Sequence, residues 1–492
     1  MWPFRKRRKT RRTLPAMLRA RYDAAQTTAE NARHWAAADG LTADQAMSPD
    51  VRRTLRNRSR YEVANNSYAK GMVLTVAGDC VGTGPRLQLY SGPPKINRQV
   101  EQSFAAWSAA VDLPGKLRAM RMAKATDGEA FLMLVYNPSV DHPVKLDVVL
   151  VEADRVTSPV TTINRPDVVD GIELDEHGNP IAYHIVDEHP CPLGIGSGTV
   201  SSQRVEAESM LHWYRIDRPG QHRGVPEITP ALPLFAQLRR YTLAVLGAAE
   251  TAADFAAVLY TDAPAGGEAA EIEPMDIVEL ERRMATTLPD GWKLGQIKAE
   301  FPSTTYSEFK REILGEIGRC LLVPVNVLIG DSSKHNYASG RLDHQTYFKQ
   351  LRIEQADLGI RILDPIFAVW MAEARLVIPQ FTTIVTDGPQ WEEKTSHEWF
   401  FDGQEMMDPQ KEANSQATKL GSLTTTLADE YARQGKDWEA ALRQIAKERA
   451  LMNELGLVLK EPVTKPDEEE DDDDSRLSDD DRPGDDPGSD GR

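Results

Sequence analysis

The stretch STTYSEFKREILGEIGRCLLVP, residues 303–324, decides how the chain is read. Phe309, Ile313, Ile317 and Leu321 recur at helical spacing and share one face, which predicts a helix over 303–323 with a single buried stripe. Its length is about 30 Å, from ~20 residues rising 1.5 Å each. Thr305 and Glu308 have capping-box spacing at its start, and Pro324 lacks the N–H needed to continue it. Gly315 and Gly318 sit inside at about 1 kcal/mol each relative to alanine, so their placement implies that another backbone approaches closely. The following NVLIGDSSKHNYASG, residues 326–340, turns polar after Ile329 and reads as a loop facing solvent or a partner. A longer helix then runs from Ala338 through Leu351, Leu358 and Ile362 to Pro365, where a kink or break is expected.

Upstream, residues 230–257 read as a second long helix, unbroken after Pro233. Its later half carries Ala244, Ala248, Ala249, Ala252, Ala253, Ala256 and Ala257, small side chains that let a neighbouring helix pack closely, while Arg239, Arg240, Glu250 and Asp254 exclude a membrane span. Between the two helices lie a short strand at 257–260, an acidic Pro/Gly-rich linker, a helix at about 275–284 and WKLG at 292–295. Nearer the N-terminus, helices at 97–111 and 116–126 give way to period-two segments at 131–136, 144–150 and 172–186, the last a hairpin turning at His177, Gly178 and Asn179. This half is α+β with antiparallel pairing. Strand-like LVI at 376–378 and the aromatic run WFF at 399–401 return the chain to it. Three helices follow from Asp408, the last with Trp438, Leu442, Ile445, Met452 and Leu455 on one face.

The net charge of −17 is unevenly spread. The tail from Asp467 carries −11 and the arm Arg5, Lys6, Arg7, Arg8, Lys9, Arg11 and Arg12 carries +7, which leaves −13 for residues 13–466. A protein that grips DNA by neutralising phosphates carries a basic body; an acidic body repels DNA, as a conduit must if DNA is to slide. The tail is too polar to bury a core of its own. No stretch reaches the ~18 apolar residues of a membrane helix and no apolar segment follows the basic arm, so a soluble protein that stays in the cytoplasm where it is made is expected. Cys80, Cys191 and Cys320 lie far apart without metal-type pairing and read as free thiols. Arg52, Arg53, Arg56, Arg58 and Arg60 resemble a phosphate patch, but in an oligomer arginines so placed are expected to pair with acids of the next subunit.

Chemistry-bearing motifs are sparse. There is no Walker-type phosphate loop, no His-Glu-x-x-His, no Gly-x-Ser-x-Gly, and the ten histidines do not cluster at ligand spacing. Gly82-Thr-Gly-Pro85 lacks a following Gly-Lys-Ser/Thr, and the glycines at 194, 196 and 198 open no helix, so neither reads as a nucleotide loop. The expectation is a non-enzymatic structural channel with no catalytic residues, no metal and no cofactor. The competing classes are a helical scaffold or adaptor binding nucleic acid, whose mark is a basic body, and a capsid-maturation enzyme, whose mark is a nucleophile with its base.

A helix ending in Val323-Pro324, a loop with Asn336, Tyr337, Ala338 and Ser339, and a long helix beginning RLDHQTYFK resemble the portal proteins of lambda-like tailed phages. RNRSRYEVANN at 56–66, DCVGTGP at 79–85, RPGQHRGVP at 218–226 and DPQKE at 408–412 are similar to that family in the same order, so the resemblance covers about residues 20–460. It implies an α+β portal fold: an arm at 1–25, a wing at 26–225, a first stem helix at 226–257, a clip at 258–302 and a second stem helix at 303–323. A tunnel loop and long helix at 324–363, a wing return at 364–407, a helical crown at 408–460 and a disordered acidic tail at 461–492 complete it. It further implies a ring of twelve subunits at the capsid vertex of a virion, assembled in the bacterial cytoplasm, through which double-stranded DNA is packaged and ejected. The implied partners are the large terminase subunit, the major capsid and scaffold proteins, and head-completion or tail connector proteins. The tunnel loop places Asp331, Ser332, Ser333, Lys334, His335, Asn336 and Tyr337 towards DNA; Gly315, Gly318, Ala249 and Ala253 are assigned to stem packing; and Glu273, Asp276, Glu279 and Arg282 of the clip to terminase.

Overall fold

The computed structural model describes residues 32–33, 35–90, 93–159, 165, 167–187, 189–190, 201–254, 258–261, 292–295, 305–333, 337–381, 397–403, 409–434 and 436–457. The chain divides into two units, Met1–Glu405 with Arg433–Gly435, and Met406–Ala432 with Lys436–Arg492.

In the larger unit, α1 (Ala43–Ala46) is closed by a capping box between Thr42 and Gln45. Helices α2 (Pro49–Asn65) and α3 (Ser67–Val81) meet at Asn66, whose side chain accepts from the N–H groups of Tyr68 and Ala69 and so starts α3. Strand β1 (Arg86–Leu89) leads into α4 (Pro94–Ala110) and α5 (Leu113–Asp127), the latter capped by Asp112 and stopped at the left-handed Gly128. Then come β2 (Glu129–Tyr136), β3 (Leu146–Val151), β4 (Val168–Val169), β5 (Ile172–Leu174), β6 (Pro180–Val186), β7 (Ser202–Glu206) and β8 (Met210–Tyr214). They form two antiparallel sheets, ordered β3-β2-β8 and β4-β5-β6-β7, with Phe131 opposite Val151 and His212. The expected hairpin is β5–β6, and Asp175 ties its turn by accepting from His177 and Asn179.

Helix α6 (Leu232–Asp254) follows, then β9 (Val258–Thr261), which pairs antiparallel with β10 (Trp292–Gly295), and α7 (Thr305–Gly318). The predicted helix at 275–284 lies outside the described residues. Helix α7 ends earlier than the expected 323: a 3-10 turn at Arg319–Leu321 and Leu322 in the left-handed region (φ 57°) turn the chain before Pro324 is reached. Residues 326–329, read as loop, belong instead to α8 (Val325–Ile329), because Leu328 is buried and the Gly330 N–H closes the turn on the Asn326 carbonyl. Helix α9 (Tyr337–Leu358) runs into a π-helical turn at Gly359–Leu363 and then α10 (Asp364–Val377), so the break expected at Pro365 is a π turn just before it. Leu376 and Val377, expected in a strand, continue α10: Met371, Ala374 and Ile378 keep helical spacing into the core while Leu376 and Val377 face out. Strand β11 (His397–Phe400) returns to pair with β1, Arg86 opposite Phe400, in keeping with the expected aromatic return.

Three apolar clusters hold this unit. The largest joins α4, α5, β2, β3 and α10 around Phe104, Trp107, Phe367 and Trp370, with Phe104 edge-on to Trp370 at 5.2 Å. Each such side chain buried in full contributes about 1.5–3 kcal/mol, and the Trp107 indole N–H is satisfied by Leu146 O at 2.8 Å. A second cluster packs α2, α3, α6, α7 and α8; a third fills between the two sheets around Phe131, Tyr183 and Met210. The smaller unit contains α11 (Pro409–Gly421), α12 (Leu427–Arg433) up to Ala432, and α13 (Trp438–Glu454). Leu442, Ile445 and Leu455, on or next to α13, are exposed.

Candidate functional site

The arginine run in α2 is resolved by geometry. Arg52, Arg56 and Arg60 fall at four-residue spacing and present one side of the helix to the start of β2, so their partners are acids of the same chain and not of a neighbour. Arg53 pairs with Asp50 at the surface, and Arg58 is exposed. Glu129, fully buried behind Gly128, is the hub. It accepts from Arg223 Nε (3.0 Å) and Nη2 (2.7 Å), from Arg56 Nη2, from His212 Nε2 (3.0 Å) and from the Gly224 N–H (2.9 Å). Arg56 also donates to Asp127 O and Asp154, and Arg60 reaches Asp127 Oδ1 (2.7 Å), Asp154 (2.5 Å) and Glu152 (3.2 Å).

The segment RPGQHRGVP supplies the other half of this network. Arg223 donates to Val156 O at 2.9 Å and Ala153 O at 3.2 Å as well as to Glu129. The Gln221 amide accepts from the N–H groups of Asp217 and Arg218 and donates to Arg223 O at 2.8 Å. Gly224 lies against the Gly128 carbonyl so closely that a Cβ has no room. Burial alone raises a carboxylate's pKa, but the guanidinium groups of Arg223 and Arg56 prevail and hold Glu129 well below its usual range. Burial pushes His212 down, and burial together with Arg223 pushes Arg52 down to about 9.

A second network lies where α5, α9 and the root of α6 converge. Arg121 Nη1 donates to buried Glu227 at 2.8 Å, Lys124 Nζ to Glu354 of α9 at 2.6 Å, and Arg215 stands 3.9 Å from Glu227. Lys124 also sits over the Trp213 ring, whose N–H donates to Asp357 at 2.7 Å. Burial opposes ionisation of Glu227, yet Arg121, Lys124 and Arg215 keep its pKa low. Nearby, Tyr347 donates to Asp79 at 2.7 Å and Gln355 to Cys80 O at 3.2 Å. Burial raises the thiols of Cys80 to about 11 and Cys320 to about 12, so both are neutral and unreactive at pH 7. Cys191 lies outside the described residues.

Glu129 and Glu227, both held below the usual carboxylate range, are charged struts and not proton donors near neutrality. The two networks tie α2, the sheets, α9 and the segment entering α6 into one body; no helix among the described residues is long and apolar enough to cross a membrane. Glu152, Asp154 and His189 bring ligand-type atoms within 4.8 Å of one another, but Arg60 already spans Glu152 and Asp154 and neutralises what a cation would.

Of the residues singled out in the sequence, Asp331 accepts from the Ser333 N–H at 2.9 Å and lies 3.9 Å from Arg311 of α7; Ser332 and Ser333 are exposed and Tyr337 opens α9. Lys334, His335 and Asn336, and Glu273, Asp276, Glu279 and Arg282, lie outside the described residues. Ala249, half-buried, and Ala253 are on α6. The neighbour at Gly318 is the chain's own Val323 carbonyl, 2.8 Å from where a Cβ would stand, with Leu328 at 3.2 Å; Val325 takes that place at Gly315. Helices α6 and α7 meet through Tyr241, whose ring is 5.7 Å from Tyr306 and 5.0 Å from Phe309. Sequence reasoning does not reach Glu129, Glu227 or Glu354, since an acid's partners many residues away leave no local pattern. The available signals are the four-residue spacing of Arg52, Arg56 and Arg60 and the glycine beside Arg223.

Residues 28–355, two thirds of the chain, match the family described as "Phage portal protein, lambda family". A "Probable portal protein" of Halomonas phage phiHAP-1 is 24% identical over 431 residues, 82% of this chain and 81% of that protein. Among solved structures, a chain from "Virion of native gene transfer agent (GTA) particle" is similar at a TM-score of 0.43 and 14% identity, over 79% of this chain and 94% of the other. One from "Neck of native GTA particle computed with C12 symmetry" has a TM-score of 0.40 and 15% identity over the same shares.

Proposed function

The chain belongs to the lambda family of phage portal proteins, and from that premise we propose that it closes into a ring, of twelve copies in the virion, whose channel passes double-stranded DNA during packaging and ejection. In this reading α6 and α7 are the stem helices. Residues 258–302 are the clip that docks the large terminase subunit and later the head-completion or tail connector proteins. Residues 331–336 face the channel, α11 to α13 form the crown, and the wing meets the major capsid and scaffold proteins. Assembly takes place in the host cytoplasm, and the ring then occupies one vertex of the capsid.

The observation that carries the reading, beyond family membership, is the joint at Glu227 and Glu354. It links the segment entering α6, the helix that leads to the clip, with α9, which follows the loop, through side chains of α5 in the body. A ring that passes DNA under load needs these elements to move as one piece, and a shift that strands a buried charge without its partner is strongly unfavourable. An acidic body suits a channel wall that must not grip phosphates.

The test has two stages. Negative-stain images and mass photometry of purified protein should give rings with a central hole. Procapsids built with those rings and supplied with terminase and ATP should protect DNA from DNase. Monomers alone, or rings that never support protection, would overturn the proposal.

A further inference from the structure

Helix α8 and the first turns of α9 stand on either side of residues 331–336, and each is anchored separately. Helix α8 rides on α7, because Val325 occupies the space beside Gly315 and Leu328 that beside Gly318. Helix α9 is held to α3 by the Tyr347–Asp79 bond of 2.7 Å. Across the gap, Asn326 Nδ2 lies 3.1 Å from His344 Nε2. Asn326 is only 6% exposed, and its backbone carbonyl accepts from Gly330 N–H at 2.9 Å and Asp331 N–H at 3.1 Å. One residue therefore closes α8, starts the connection and reaches over to α9. The His344 ring rests against Phe348, 5.6 Å between centroids, which limits where Nε2 can point.

As arranged, the amide donates to an unprotonated Nε2, and Asn326 Oδ1 is buried with no partner in the chain. Turning the amide over would let Oδ1 accept from an Nε2–H but leave the amide N–H unmet. A buried polar group without a partner is unfavourable, and a pair of leucines would avoid the penalty. What a polar pair provides instead is a fixed distance and direction between two elements. We infer that Asn326 and His344 form a clasp that sets the separation of α8 and α9, and with it the course of residues 331–333 as they leave α8. They are positioning residues: neither needs to touch DNA. The effect on DNA rests on the proposed portal function; the clasp itself does not.

The experiment compares wild type, Asn326→Leu, His344→Leu and the exchanged pair Asn326→His/His344→Asn in assembled rings. Hydrogen exchange at the Gly330 and Asp331 amides should quicken roughly five- to tenfold in each single variant, the size expected for one lost hydrogen bond. It should return towards wild type in the exchanged pair, while ring mass and melting temperature stay close to wild type throughout. In the procapsid assay, the single variants should retain less DNase-protected DNA and the exchanged pair should recover it. Wild-type exchange in both single variants overturns the clasp, and quickened exchange with unchanged DNA retention overturns its effect on DNA. If wild-type rings themselves protect no DNA, it is the portal function that fails, and amide exchange alone then decides whether the clasp exists.

Discussion

Replacing Glu129 with glutamine keeps the side chain's size and removes one charge from the centre of the first network. Two guanidinium groups, an imidazole and a backbone N–H converge on its two oxygens, and the residue is fully buried. Whichever oxygen becomes the amide nitrogen, either the arginines or His212 and Gly224 then face a donor. Removing one member of a buried ion pair costs about 3–5 kcal/mol, mostly from the stranded opposite charge. Against a total stability of about 5–15 kcal/mol, that predicts a fall in melting temperature of roughly 4–6 °C, at about 1.2 °C per kcal/mol for a unit of about 400 residues. The assay is thermal unfolding at matched concentration, with Glu176→Gln as control, since Glu176 lies in an exposed turn beside His177. The sign with pH follows from the depressed pKa: the contribution of Glu129 is complete above its ordinary value of 4.5 and is lost only as pH falls below that towards the folded value. The gap between wild type and Glu129→Gln should therefore be constant from neutral pH to about pH 5 and narrow in stronger acid. A Glu129→Gln protein that melts with the control would refute the assignment of Glu129 as a structural hub.

Gly318→Leu drives a side chain into the Val323 carbonyl and Leu328 of its own chain, an overpacking worth about 1–3 kcal/mol, so the variant should melt below wild type, and an unchanged melting temperature would show that the site tolerates bulk. Truncation after Lys465 removes a segment whose charges repel one another, so ring formation should survive it, and failure to assemble would make the tail an assembly element. The double variant Lys334→Ala/His335→Ala should form rings and bind terminase yet package or retain less DNA, because a few weak phosphate contacts are multiplied around the ring; full-length DNase protection would remove this loop from contact with DNA.

The periodicities that depend on local chemistry are readable in the sequence: the hairpin at His177 to Asn179, helices α4 and α5, and the interruption before Pro365 all follow from spacing and turn residues. Errors arise where tertiary contacts decide. Leu376, Val377 and Ile378 have strand-forming side chains, but the buried row of Met371, Ala374 and Ile378 holds the helix on course. The end of α7 depends on Leu322 adopting a left-handed conformation that a leucine's own preferences disfavour. The arginines of α2 look like a surface patch because Glu129, Asp154 and Asp170 lie 70 or more residues downstream, and spacing cannot report a meeting at that range.

The pairing of β1 with β11 has a consequence in the order of synthesis. Leu89 and His397 are neighbours in the finished sheet but are 308 positions apart in the chain. At about 5–20 residues per second, a ribosome takes roughly 15–60 s to travel between them. For most of that interval Phe104 and Trp107 lack Phe367, Trp370 and Trp399, and α6 and α7, the helices proposed as the stem, emerge before those partners do. A nascent chain thus presents α6 and α7 before its largest core can close. A chain that ends before Phe367 carries an aromatic core that cannot be completed.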